Sequence, residues 1–388
     1  MKFLVICKII MEKQRNNQQE TRRIVSVFFL TELLLIKHFY FIMKQNHYCG
    51  SSETIRKTPR FNFDDFYKYG HAEHVPRIDE SFLEWFIGFF EGDGSLSYSK
   101  ESIFVRIRNG KQTKEKVCER LRFSIVQKEK KIIEKICFTF GFGRVSSYRK
   151  SNQLYWRWTL ESKQSIQKIA FLLSGNLILE SRQKQFLKWA ELAQKKGLLK
   201  TPFNKHKPWS GNICLSNGWL SGFIDAEGCF HAQLKLPVEQ KKQIFKFPIS
   251  KSKWTNKHHQ LFETIQWQGR LNQRMILTQI SSDQTDILLK KILLLFQGKS
   301  FYRFQNTTVQ KHTNKYYVRI TFSSLMSHEK IIQYLTQYPL KTIKKVSFKR
   351  WCRVYFRRRD GMHLSPKGTK RLFRLVKAIN IHSKKSYL

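Results

Sequence analysis

Acidic residues are scarce in this chain. Only 28 Asp and Glu stand against 72 Lys and Arg in 388 residues, a formal net charge of +44. An ordinary soluble enzyme has no use for such an excess, so the balance predicts a polyanionic partner, most simply nucleic acid, bound in a salt-dependent way. Alanine is also rare, seven residues against 32 phenylalanines. That pattern fits the codon bias of an AT-rich genome, which is the alternative explanation for part of the lysine excess and is compatible with a nucleic-acid partner. The seven cysteines (Cys7, Cys49, Cys118, Cys137, Cys214, Cys229, Cys352) never form a Cys-x-x-Cys pair, which excludes a zinc ribbon and a secreted disulfide framework. His71, His74 and the His258-His259 pair lack cysteine or acidic companions at ligand spacing, and read as solvated or phosphate-contacting residues. No long apolar run survives intact either. Ile24 to Met43 is interrupted by Glu32, Lys37 and His38, too broken for a membrane span and too far in for a simple signal peptide.

What the chain does have is a stretch it states twice. Phe86-Ile87-Gly88-Phe89-Phe90-Glu91-Gly92-Asp93-Gly94 recurs as Leu220-Ser221-Gly222-Phe223-Ile224-Asp225-Ala226-Glu227-Gly228, every pair 134 positions apart. An internal repeat at domain scale follows, and the length allows two or three domains. Trp85, Phe86, Phe89 and Phe90, like Trp219, Leu220, Phe223 and Ile224, fall at the spacing of a buried helical face. Gly88 with Gly92, and Gly222 with Ala226, set small residues one turn apart, which lets two helix backbones approach closely. Glycine inside a helix costs about 1 kcal/mol relative to alanine, so it needs a packing reason. Gly94 and Gly228 stand where a left-handed cap would end each helix. Asp93 and Glu227 are then last in their helices, an unfavourable place for an acid because that end of the dipole is already negative. Two such acids side by side make a concentrated anionic point, which a divalent cation would neutralise. The bland alternative is a pair of packed core helices with solvated acids at their ends. The coincidence of glycine, apolar face, acid and glycine in two copies argues against it.

After each copy the period changes to two. Ser95 to Tyr98, Phe104 to Arg108 and Leu121 to Ile125 read as strands, then Lys130 to Phe140 as a helix, Gly143 to Tyr148 and Leu154 to Leu160 as strands, and Lys163 to Ser174 and Arg182 to Lys195 as helices. The order recurs after a Pro/Gly/Asn-containing linker: strands at Cys229 to Leu236 and Met275 to Ile280, a helix from Asp283, strands at Ser300 to Phe304 and Tyr316 to Phe322, and helices at Leu325 to Gln337 and Lys341 to Phe356. From Pro339 onward the only acid is Asp360, so the end of the chain is either a solvated tail or a basic segment docked on the second half.

These residues resemble the LAGLIDADG homing endonucleases of the two-motif, monomeric type, with Phe86 to Gly94 and Leu220 to Gly228 standing where the nine-letter motif stands. The first copy replaces Leu-Ala by Phe-Ile and an aspartate by Glu91, neither of which touches the metal-binding acid of the motif. The resemblance implies an α+β fold of two pseudo-twofold-related αββαββα repeats, each an antiparallel four-stranded sheet with helices on one face, joined at the paired motif helices. Its boundaries would be an N-terminal extension 1–77, a first repeat 78–196, a linker 197–217, a second repeat 218–358 with a basic insertion 237–274, and a basic tail 359–388. The extension reads equally as an organelle transit peptide or a translated upstream part of an intron reading frame.

The resemblance further implies that Asp93 and Glu227 hold magnesium or a similar divalent metal, aided by the carbonyls of Gly92 and Ala226. Gly88, Gly92, Gly222 and Ala226 would line the helix interface. Gln127 matches the family's water-ordering polar position, and Lys131, Arg182 and Lys344 its basic positions. The second-half match to Gln127 is either Asp283 or Gln284. Alternation offers Arg106, Arg108, Arg157, Lys235, Arg303 and Arg319 to bases on the free sheet face, although sequence leaves open which parity faces DNA. The implied function is site-specific cleavage of double-stranded DNA by an intron-encoded monomer, in a mitochondrion or chloroplast, without an obligate protein partner. The rivals are a maturase binding its host intron RNA on the same scaffold, and a non-catalytic basic binding protein. Neither needs both motif acids.

Overall fold

The computed structural model describes residues 61–105, 114–199, 213–240, 242, 255–256, 270–305, 316–361 and 366–381. The Ile24 to Met43 run, Arg106 and Arg108 lie outside them, as does most of the stretch 237–274. The first half runs α1 (Glu80–Asp93), β1 (Gly94–Val105), β2 (Lys114–Gln127), α2 (Lys130–Phe140), β3 (Arg144–Lys150), β4 (Gln153–Leu160), α3 (Lys163–Leu173) and α4 (Glu180–Lys195). The second repeats this with α5 (Trp219–Glu227), β5 (Gly228–Lys235), β6 (Arg270–Ile280), α6 (Asp283–Leu295), β7 (Ser300–Gln305), β8 (Tyr316–Phe322), α7 (Leu325–Gln337) and α8 (Lys344–Arg359), and α9 (Pro366–Ala378) follows. The fold is therefore α+β, with two four-stranded sheets ordered β1-β2-β4-β3 and β5-β6-β8-β7, antiparallel throughout.

Burial along β5 alternates strictly, with Phe230, Ala232 and Leu234 inward and Cys229, Gln233 and Lys235 exposed on the opposite face. Alternation of this kind is what a sheet covered by helices on one side requires. Aromatics pack the helices onto the inward face of the first sheet: Phe90 of α1 stacks on Phe123 of β2 at 4.9 Å, and beside it Phe86 of α1 meets Phe140 of α2 edge-on at 4.6 Å. In the second sheet Phe230 packs against Phe348 and Trp351 of α8, at 5.3 and 5.5 Å.

Several local expectations change. The runs at Ser95 and Phe104 are one strand, β1, paired along its whole length with β2; the interruption in alternation between them is polar sequence within a ladder that needs no apolar residue. Gly94 and Gly228 are extended, not left-handed, at φ −79° and −73°. Their glycine is steric: a Cβ would lie 2.0 Å from the Phe90 ring and 2.6 Å from the Ile224 carbonyl oxygen. Residues Phe61, Phe63 and Phe66 are buried in the core of the first half, clasped there by Asn176, which donates to the Asn62 carbonyl at 2.8 Å and accepts from its amide at 2.9 Å. The packed fold thus begins well before the motif helix. At the other end α9 docks, with Leu372 and Ile379 buried and Asn380 donating to the Phe230 carbonyl at 3.0 Å. Arg270 to Arg274, read as the end of an insertion, open β6.

His328 of α7 is fully buried, edge-on to Trp351 at 4.6 Å. Its Nε2 donates to the Phe322 carbonyl at 3.0 Å, which leaves Nδ1 as an unpartnered lone pair. Burial pushes the imidazole down to about 4. The unfolded chain takes up this proton near 6.5 and the folded chain only near 4, so the stabilisation is complete above 6.5 and is lost as pH falls through that window. The unfolding free energy from denaturant titrations is expected to drop between those values by up to about 3 kcal/mol. His328→Gln keeps an Nε2 donor without titrating and should remove most of that slope; an unchanged slope would exclude His328 as its source.

Candidate active site at the helix seam

The two motif helices cross with almost no side chain between them. A Cβ on Gly88 would stand 1.9 Å from the Trp219 carbonyl oxygen, and one on Gly222 would stand 1.8 Å from that of Trp85. Lower down, a Cβ on Gly92 would fall 2.2 Å from that of Ala226. Each helix also sends its indole across the seam to the first acid of the other motif. Trp219 Nε1 donates to Glu91 at 2.5 Å and Trp85 Nε1 to Asp225 at 2.9 Å.

Those two buried acids go on to anchor the last helix of each half. Glu91 accepts from the amides of Ile178 and Leu179, both at 2.6 Å, ahead of α4. Asp225 accepts from the Lys341 amide at 2.6 Å and the Thr342 hydroxyl at 2.5 Å, ahead of α8. A carboxylate at a helix N-terminus satisfies otherwise unpaired amides. These contacts, with Glu129 accepting from the Ile343 amide at 2.7 Å, are why α8 starts at Lys344 and not at Lys341. Burial nevertheless pushes Glu91 up to about 7, against the pull of those donors.

With the helices fixed this tightly, their ends converge, and so do Asp93 and Glu227. Burial raises the Asp93 carboxyl, opposed by Lys344, Gln127 and Arg182. Burial and then the like charge of Asp93 push Glu227 up to about 7. Gln127, the last residue of β2, donates to Asp93 at 2.5 Å. Its counterpart is Gln279, which hydrogen-bonds Glu227. This corrects the match to Asp283 or Gln284: the Asp283 side chain is 97% exposed and faces Arg303. Register explains the correction, since Gly94 pairs with Ile125 and Gly228 with Leu277, each two residues before the glutamine.

Arg182 and Lys344 take equivalent places. Arg182 donates from Nε to the Glu91 carbonyl at 2.8 Å and from Nη2 to the Gly92 carbonyl at 3.1 Å. Lys344 donates to the Ala226 carbonyl at 2.6 Å. Burial lowers both cations, while Glu91 at Arg182 and Asp225 at Lys344, and after them Glu227 and Asp93, favour their charged forms. Lys131 is not brought in. It is exposed on α2, and its charge bears on Glu129.

The free sheet faces divide the remaining candidates. Arg157 and Arg319 are cross-strand partners of Val126 and Thr278 on that face. Arg157 lies over the Tyr148 ring at 4.6 Å, and Arg319 donates to Tyr302 at 3.0 Å. Lys235 is exposed on the same face of β5. Arg303 is not on it: its partner is Val318, on the helix-covered side, and its guanidinium is paired with the buried Asp286.

The comparisons agree with this architecture. A family profile described as LAGLIDADG endonuclease matches residues 86–193 and 220–355. A Neurospora crassa protein named probable intron-encoded endonuclease 4 is 26% identical over 306 residues, 78% of this chain and 45% of that protein. The Schizosaccharomyces pombe protein named probable intron-encoded endonuclease Cox1-I1b is 26% identical over 241 residues, 54% of this chain and 58% of that one. The chain thus spans about half the length of the curated relatives it matches. The structure of I-SmaMI bound to uncleaved DNA in the presence of calcium ions superposes with a TM-score of 0.52 at 16% identity, covering 79% of this chain and all of that one. With both halves matched from within the motif helices through all eight strands, the chain belongs to the LAGLIDADG endonuclease family.

Proposed function

We propose that this protein is an intron-encoded homing endonuclease that cuts both strands of a specific DNA duplex with divalent metal, magnesium in the cell. The observation that carries the reading is the convergence of Asp93 and Glu227, one from each half, in a desolvated site ringed by Gln127, Gln279, Arg182 and Lys344. Two like-charged, half-buried carboxylates whose charge Arg182 and Lys344 offset only in part favour a further cation between them, and all-oxygen donors suit a hard divalent ion. Among the described residues no cluster of three or more His, Cys, Asp or Glu side chains could hold a metal ion, so the remaining ligands would be the Gly92 and Ala226 carbonyls, phosphate oxygens and water. When bound, such a metal supplies Lewis-acid stabilisation of the phosphate and a nucleophilic water.

The chain's own residues do the rest. Gln127 and Gln279 hold the carboxylates in orientation. Arg182 and Lys344 grip the helix-end carbonyls and set positive charge beside the scissile phosphates, where negative charge grows during cleavage. The open sheet faces supply groove contacts, and the excess of cations supplies salt-sensitive affinity. One chain carries both acids, so a monomer suffices. The alanine-poor, lysine- and phenylalanine-rich composition supports an organellar, AT-rich host. Retention of both converging acids weighs against a chain that only binds its intron RNA.

The test is direct. Purified protein is incubated with a duplex spanning the intron-free exon junction, with magnesium or with EDTA. Magnesium-dependent cutting of both strands at that junction, absent from the intron-containing allele, is the expected result. Binding without cleavage in any divalent metal would refute the nuclease reading.

A further inference from the structure

We infer that Arg274, seconded by His231, reads a guanine in the half-site under the second sheet, and that Glu161 bars its structural equivalent Arg122 from doing so in the first. The inference rests on the duplex-cutting function proposed above.

His231 and Arg274 are cross-strand partners on β5 and β6. Their neighbours Phe230 and Met275 point into the core, so this pair points to the free face. Arg274 Nε and His231 Nδ1 are both buried without a hydrogen-bond partner. Buried polar atoms are nearly always satisfied, and leaving one unpaired costs about 1–3 kcal/mol. Two adjacent orphans on a face that no described helix covers point to a ligand. Burial and the neighbouring guanidinium hold the His231 ring below the ordinary imidazole value, so it is a neutral hydrogen-bonding group and not a second phosphate-attracting charge. Because β6 is an inner strand, Arg274 faces base edges and not the phosphate rim, and the guanidinium fork matches guanine O6 and N7. His231 lies three residues beyond Gly228. At about 3.3 Å per residue that is roughly 10 Å from the helix end, or about three base-pair steps at about 3.4 Å each.

The first sheet holds the same arginine in a different state. There the equivalent pair is Ser97 and Arg122, and Arg122 Nε donates to Glu161 at 2.5 Å. Phe123 pairs with Leu160 as Met275 pairs with Phe322, so the position of Glu161 is occupied in the second half by Ser323. A serine there leaves Arg274 without the carboxylate that engages Arg122. The two half-sites should therefore differ at mirror positions, with guanine demanded on one side only.

The experiment is binding selection from a randomised duplex library, in calcium, with wild type, Arg274→Gln, Ser323→Glu and Glu161→Ser. Wild type should enrich a motif with guanine about three base pairs from the cut on one side, preferred about ten- to a hundredfold. Arg274→Gln and Ser323→Glu should each lose that guanine and keep the rest of the motif. Glu161→Ser should gain a guanine at the mirror position, a result that misfolding cannot imitate. An unchanged motif in Arg274→Gln and Glu161→Ser overturns the inference while leaving the proposed function standing. A wild type that enriches no motif overturns both.

Discussion

Asp93→Asn combined with Glu227→Gln is expected to abolish magnesium-dependent cleavage of both strands while leaving duplex binding within a few-fold of wild type. Each substitution removes one of the two carboxylates proposed to hold metal at the seam, and metal-ion catalysis contributes several kcal/mol to the transition state. At 1.36 kcal/mol per decade that is on the order of a thousandfold or more. Binding survives because the cations that carry it stand on other residues, among them Arg157, Arg319 and Lys235 of the free sheet faces. The protein should also become more stable, not less. Both carboxyls are raised by burial, and Glu227 additionally by Asp93, so removing the charges removes a conflict that the fold tolerates for function. Thermal melts and strand-resolved cleavage assays on the same preparations separate the two effects. Full cleavage in the double variant would end the assignment of these acids.

Much of this site is legible in the sequence because it is built from a repeat. The equal offset of Glu91 and Asp225, Asp93 and Glu227, and Trp85 and Trp219 already contains the cross-seam bonds of the indoles, and the tryptophan pair in register is the sequence signal for them. Gln279 was hidden for a physical reason. The connection between β5 and β6 is longer than that between β1 and β2, so Gln127 follows its acid by 34 residues and Gln279 by 52. Only strand pairing restores the equivalence. Arg303 shows the limit of period-two reading: alternation fixes that neighbours point apart, not which of them points outward. Pairing with Val318 and the presence of Asp286 on the adjacent helix decide that. Lys131 failed in another way, since a basic residue at the start of a helix has the right composition for a site that its exposed position does not reach.

Replacing either seam glycine, Gly88→Ala or Gly222→Ala, is expected to be the most destabilising single change in the protein. The obstacle in each case is the backbone carbonyl of the facing helix, at 1.9 and 1.8 Å from the new Cβ, and a backbone cannot step aside as a side-chain tip can. Separating the helices would break the Trp219–Glu91 and Trp85–Asp225 bonds and with them the amide contacts that hold α4 and α8. A loss of about 4 kcal/mol or more follows, the range reserved for overpacking combined with broken buried polar networks, against a total stability of about 5–15 kcal/mol. Gly197→Ala separates sterics from backbone preference. Gly197 has φ +63° and nothing within 4 Å of a Cβ, so its cost should be only about 1–2 kcal/mol. Denaturant unfolding of the three variants should rank them with Gly197→Ala far milder than the other two. Equal losses at all three positions would mean that the helices are not held by their backbone contact, and the convergence of Asp93 and Glu227 would then need another cause.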